Sequence, residues 1–182
     1  MKTEKLLLIR HAASTGQAPD AALSSDGEQQ AERLSDWLQS QRVDGLFASP
    51  YRRAVATLEP FAAMSGLPLS LLDGLRERVL SVTPRSDWRV HIQRSFEDRA
   101  YKLEGGESVE ETASRALAAL QIVAQHGCTR PAIASHGNLI ASVLNRLDPS
   151  FGYDGWLGMA NPDVFQLRLE NGRPIGFERL AL

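Results

Sequence analysis

Two histidines and several arginines give this 182-residue chain its chemical character. Arg10-His11 directly follows a short apolar run near the amino terminus. Ser49-Pro50-Tyr51-Arg52-Arg53 follows a second run, Glu77 lies shortly after a third, and Ser135-His136-Gly137-Asn138 follows a fourth. Arginine's planar fork pairs with phosphate oxygens two at a time, so two arginines and two histidines in one pocket suit a compact, doubly charged anion. Helices opening after Ser49 and after His136 would add backbone N–H donors and the positive end of a helix dipole. No Asp or Glu cluster accompanies the histidines, which argues against an oxygen-ligated metal, and two histidines are too few for a typical zinc site. A neutral imidazole is a competent nucleophile. Phosphoryl transfer asks mainly for positioning and for neutralisation of charge on the equatorial oxygens, which arginines supply without magnesium. A nearby carboxyl group would protonate the leaving oxygen and then activate water. Glu77 is the best-placed candidate, with Glu104 and Glu107 as competitors.

The elements that must position these residues follow from hydrophobic pattern. Leu6–Ile9, Gly45–Ala48, Leu69–Leu72 and Pro131–Ser135 read as strands, and Leu6–Ile9 is apolar throughout, as a strand covered on both faces would be. Val164–Leu169 and Ile175–Leu180 flank Asn171-Gly172, a strong hairpin signal. Between the strands lie amphipathic stretches. Ser25 with Glu28 suggests a capping box before Ala31, Leu34 and Leu38. Ser49-Pro50 suggests an N-cap and a first-turn proline, with Gly66 as the stop. Ser108 with Glu111 suggests a second capping box, and Gly127 ends that helix. Leu139, Ile140, Val143, Leu144 and Leu147 mark one more helix. Short apolar runs alternating with helices predict an α/β fold: a three-layer sandwich with a mainly parallel central sheet between helices. In such sheets ligands bind beyond the carboxyl ends of the strands, where all four polar groups fall.

Residues 78–104 fit this alternation least. Pro84 and Ser86 could open a helix with Trp88, Ile92 and Phe96 on one face, and the stretch reads as a small insertion over the site. Arg78, Arg85, Arg89, Arg94, Arg99 and Lys102 stand against Asp87, Glu97 and Asp98. That excess of positive charge reads either as a cationic lid or as a solvated face of paired charges. Phe151, Tyr153 and Trp156 cluster near glycines, where core or surface packing is the commoner role. His91 and His126 have no motif around them.

Composition bounds the rest. With 43% hydrophobic and 23% charged residues, the chain has ordinary globular make-up, and its length suits a single domain over 1–182. A formal charge of −2 gives no basic field for nucleic acid. Cys128 is the only cysteine, which excludes an internal disulfide and suggests a reducing compartment. The apolar run after the two amino-terminal lysines is short for a signal peptide, and no run reaches the length of a membrane span. A cytoplasmic protein with no membrane partner is expected; oligomeric state is not legible.

The ordered pieces Leu8-Ile9-Arg10-His11, Leu23 through Ala31, Ser49-Pro50-Tyr51-Arg52-Arg53-Ala54, Leu75-Arg76-Glu77, Gly105-Gly106-Glu107-Ser108 and Ser135-His136-Gly137 resemble the histidine phosphatase superfamily, the phosphoglycerate-mutase-like family. The resemblance implies a phosphatase, free of cofactor and metal, acting on a small phosphorylated metabolite. It makes His11 the phosphorylated nucleophile and puts Arg10, Arg53 and His136 in the phosphate pocket. Glu77 falls at the proton-donor position, and Arg52 at the surface or rim. Ser14, Gln17 and Gly137 fall among the substrate contacts. Where the family commonly continues with Gly-Glu-Ser or Gly-Glu-Thr, this chain has Ala12-Ala13-Ser14, and Gln17 stands where asparagine is frequent. Alanine beside the nucleophile is expected to restrict the backbone. The segment after Glu77 lacks the Gly-x-Trp-Glu-Gly pattern of many relatives. A phosphoglycerate mutase and a non-catalytic phosphate- or phosphoprotein-binding domain are the alternative functions.

Overall fold

Leu6, Leu7, Leu8 and Ile9 are all fully buried, so their strand is covered on both faces. The computed structural model describes residues 3–182 and shows how. The strands are β1 (Lys5–Arg10), β2 (Gly45–Ala48), β3 (Leu69–Leu71), β4 (Pro131–Ser135), β5 (Asp163–Glu170) and β6 (Arg173–Leu180). They form one sheet in the order β3-β2-β4-β1-β5-β6. The first four in that order are parallel; β5 and β6 join antiparallel. Asn171 and Gly172, at φ 52° and 75°, make the tight hairpin turn their types suggest.

Alternation along β1 sorts its side chains between two layers. Leu7 and Ile9 join Leu34, Leu38, Leu58 and Phe61 under α1 (Ser25–Ser40) and α2 (Arg52–Ser65). Leu6 and Leu8 join Leu120, Val123, Ile140 and Leu144 under α4 (Val109–Gln125) and α5 (Gly137–Leu147). Helix, sheet, helix is the three-layer arrangement expected from the sequence. Each such leucine contributes about 1.5–3 kcal/mol by burial.

The inferred helix starts were right in two cases and displaced in three, counting the helix of the insertion, which opens at Trp88 rather than at Pro84 or Ser86. Ser108 and Glu111 form the reciprocal capping box, and α5 starts directly after His136. The cap of α1 is Ser24 rather than Ser25: Ser24 N–H donates to Ala13 O at 3.0 Å, fixing Ser24 as extended, and its hydroxyl accepts from Gly27 N. Ser49 does not cap α2, which opens at Arg52 after Tyr51; its hydroxyl accepts from Tyr51 N and lies 2.8 Å from His136 Nε2. Gly66, at φ 70°, closes α2 as expected.

In the insertion, α3 (Trp88–Glu97) buries Ile92 and Ser95, while Trp88 stays at the rim. Asp87 makes no cap there because its carboxylate is held by Arg85 and His91. A 3-10 turn at Asp73–Leu75 and the short α6 (Tyr153–Leu157) were not signalled by any periodicity. Among the described residues no helix is long and apolar enough to cross a membrane.

Candidate active site

Sheet register brings the polar residues together. Arg10 pairs with Ser135 and Ala48 with Ala134, so His11, Ser49 and His136 leave three adjacent strands side by side. His11 N–H donates to Ser135 O and Ser49 N–H to Ala134 O, both at 2.9 Å, which extends the sheet into the site. The two imidazoles meet edge to face with centroids 5.2 Å apart.

His11 is held in one tautomer. Its Nδ1 lies 2.7 Å from Ala12 O, and a carbonyl oxygen only accepts, so Nδ1 carries the hydrogen. Nε2 therefore presents its lone pair and accepts from Arg53 Nε at 3.1 Å. Burial pushes the His11 pKa down to about 4; the Ala12 contact opposes this, and the Arg53 and Arg10 charges reinforce it. The ring is neutral at physiological pH.

The surrounding donors are only partly used. Arg10 Nη1 donates to Met159 O, but its buried Nε has no protein partner. Arg53 is fully buried; Nη1 donates to Gln17 O and Ala18 O, while Nη2 is unpartnered. His136 Nε2 sits 2.8 Å from Ser49 Oγ, and its Nδ1 is buried and unpartnered. Burial lowers the pKa of both arginines, partly offset by Glu77, and pushes His136 well below the usual histidine range. Unpartnered buried polar nitrogens are costly, so three of them around one ring mark a site shaped for an anionic ligand.

Glu77 closes the other side. Ser135 Oγ donates to Leu75 O and ties the preceding turn to β4. The Glu77 carboxylate accepts from Arg78 N at 2.8 Å, Leu139 N at 3.0 Å and Asn138 N at 3.2 Å, lying across the start of α5. Its competitors are elsewhere. Glu107 is clamped in two places by Arg115, and Glu104 is exposed in a turn.

Arg10, His11, Arg53, Glu77, His136 and Gly137 thus converge. An added Cβ at Gly137 would stand 3.2 Å from Arg10 Nε, so glycine lets α5 approach the arginine. Ser14 is not brought in: its hydroxyl donates to Gly16 O. Gln17 contributes its main-chain carbonyl to Arg53, and the residue borders the adjoining cleft. Arg52 is exposed.

The family model of the histidine phosphatase superfamily, branch 1, matches residues 6–175. The chain belongs to this superfamily. It is 25% identical to a protein named probable phosphoglycerate mutase GpmB of Salmonella choleraesuis, over 84% of this chain and 77% of that one. Its fold is similar to a mycobacterial glucosyl-3-phosphoglycerate phosphatase, with TM-score 0.77, 23% identity and 98% of each chain covered. It is also similar to a phosphoserine phosphatase of Entamoeba histolytica, solved with 3-phosphoglyceric acid, with TM-score 0.73, 20% identity, and 98% and 97% covered.

Against the histidine phosphatase pattern, Ala12-Ala13 causes no strain. The positive-φ residues other than glycine among those described are Arg42 and Asn171, so Ala12 occupies ordinary backbone space. Three supports of the site were not legible in the sequence. Ser49 orients His136. Thr57 Oγ1 accepts from Ala12 N and donates to Arg53 O, joining the loop after His11 to α2; its place one turn after Arg53 was the available signal. Asn161 Nδ2 donates to His11 O at 2.6 Å across 150 residues, and no local pattern announces that.

Proposed function

We propose that the chain hydrolyses a small phosphomonoester, without a metal, through a phosphohistidine at His11. The observation that carries this reading is the neutral His11 ring, its Nε2 lone pair held by Arg53 Nε, with Arg10 Nε, Arg53 Nη2 and His136 Nδ1 of the adjoining residues buried and unpartnered. With Ser49 Oγ accepting from Tyr51 N and its O–H donating to His136 Nε2, Nδ1 carries that ring's hydrogen; the phosphoryl oxygens take up these donors and the Arg53 Nε now on His11, freeing Nε2 of His11 to attack phosphorus in line. The N–P bond forms as the P–O ester bond breaks, and Glu77, in its acid form, protonates the departing oxygen. Water then attacks the phosphohistidine, gives its proton to Glu77, and releases phosphate and free His11. The cationic surroundings favour the charge that spreads over the equatorial oxygens. Residues 78–104 act as a lid on one domain, and the single free cysteine supports a cytoplasmic setting.

The test is turnover of para-nitrophenyl phosphate in EDTA. Wild type is expected to release phosphate at full rate, and His11→Ala to lose activity by at least about 10³-fold. Undiminished turnover by His11→Ala, or phosphate binding with no turnover at all, overturns the reading.

The likeness to the protein named a probable phosphoglycerate mutase favours a second reading, in which the same pocket returns the phosphoryl group to a bound acid. Incubation with 3-phosphoglycerate separates the two. Accumulation of the 2-isomer means mutase, and free phosphate means phosphatase.

A further inference from the structure

Beyond the phosphate pocket lies a cleft of about 480 Å³, reached past Glu77 and Asn138. Its walls are Tyr51, Val79, Leu80, Val82, Pro84 and Trp88. Val82 and Trp88 are 71% and 37% exposed, so apolar surface is left uncovered at the mouth. Aromatic rings run from pocket to rim on both sides. The Tyr51 ring lies 5.0 Å from His136, and Trp88 stands edge-on at 6.1 Å to Trp156, which reaches Gly137.

Two cations line this cleft, and both donate to protein groups. Arg85 is bound in two places by Asp87, at 2.8 and 2.7 Å. Arg78 is 5% exposed and donates to Glu107 O and Ser95 Oγ. Glu77 adds its carboxyl group to the wall. A second anionic group on the substrate would lose water against these apolar walls, where Arg85 is already paired with Asp87 and Arg78 already donates through Nε and Nη1.

Building on the phosphatase reading, we propose that this cleft selects monoesters whose leaving alcohol is uncharged and carries an aromatic ring. It disfavours esters bearing a carboxylate or a second phosphate. The ring lies against Trp88 and Tyr51 while the phosphate occupies the arginine pocket, and the volume accommodates one small molecule.

The experiment compares 2-phenylethyl phosphate with 3-phosphoglycerate, both esters of primary alcohols, so their ratio of kcat/KM reports the cleft rather than leaving-group reactivity. Wild type is expected to prefer the phenyl ester by about tenfold or more, and Trp88→Ala to remove most of that preference through KM. Val82→Arg, at an exposed position, supplies an unpaired cation and is expected to shift the ratio toward 3-phosphoglycerate. Equal or better use of 3-phosphoglycerate by wild type overturns the inference alone, as does a ratio unmoved by both variants. Absence of His11-dependent hydrolysis of either ester and of para-nitrophenyl phosphate overturns the phosphatase reading together with it.

Discussion

Arg53 is a fully buried cation, yet one of its terminal nitrogens has no protein partner. A guanidinium in that state lowers stability unless a ligand completes its coordination, which is how a binding site differs from a structural ion pair. Arg115, held at both ends of its fork by Glu107, is the structural case in the same molecule. The histidines obey the same logic. Ala12 O fixes the tautomer of His11 and Ser49 Oγ engages Nε2 of His136, leaving Nε2 of His11 and the unpartnered Nδ1 of His136 for a ligand. Glu77 is the group whose role depends on the substrate. Glu77→Gln is expected to slow hydrolysis of alkyl phosphates by about 10²–10⁴-fold and of para-nitrophenyl phosphate much less, since nitrophenolate departs without a proton. Steady-state rates on the two esters check this, and equal losses would count against acid catalysis by Glu77.

Elements place these groups through strand register and close packing. Leu6–Ile9 could be assigned from sequence because a strand buried on both faces has no polar face to obscure it. The Asn171-Gly172 turn was legible for a related reason: its positive φ angles demand those residue types. Arg10, His11, Arg53, Glu77 and His136 could be assigned to one place because parallel strands share a carboxyl edge. What escaped was contact across the chain. Ser49 has the type and position of a helix cap, and only the neighbouring strand shows that His136 takes its hydroxyl. Ser24 and Ser25 are equivalent as caps until the Ala13 carbonyl, from a distant loop, selects Ser24. That loop also explains Gly27, where an added Cβ would fall 1.9 Å from Ala13 O. Gly27→Ala gains helix propensity of up to about 1 kcal/mol, but the overlap with backbone is larger. Urea denaturation is expected to show a net loss of about 1–3 kcal/mol. Because the displaced loop carries the carbonyl that orients His11, kcat/KM is expected to fall as well. An unchanged midpoint and rate would show that α1 does not brace the nucleophile loop.

At the scale of the molecule, a chain of net charge −2 concentrates positive potential in one buried pocket. Three of the six cations of the insertion are paired with carboxylates, Arg99 with Glu110, Lys102 with Glu111 and Arg85 with Asp87, while Arg89 and Arg94 lie over the rings of Trp88 and Tyr101. Of the two readings of that segment's charge, the paired face describes these contacts, while its apolar residues line the cleft. The pocket also makes stability depend on pH. The His11 pKa falls from 6.5 in the unfolded chain to about 4 in the fold, so the unfolded state takes up the proton first as pH drops. Stability is complete above about 6.5 and is lost progressively down to about 4, with His136 acting in the same direction. Unfolding free energies from urea titrations at pH 7 and 4.5 should differ more in wild type than in His11→Gln, by roughly 2–3 kcal/mol. Equal pH dependence in the two proteins would show that His11 is not the group responsible.

The phosphoryl acceptor itself can be observed. Wild-type protein mixed with para-nitrophenyl phosphate, quenched in alkali within the first turnover and digested, is expected to carry an acid-labile phosphoryl group on the peptide containing His11, absent from His11→Ala. Steady phosphate release with that peptide unmodified at every quench time, and at the same rate in His11→Ala, would contradict the account.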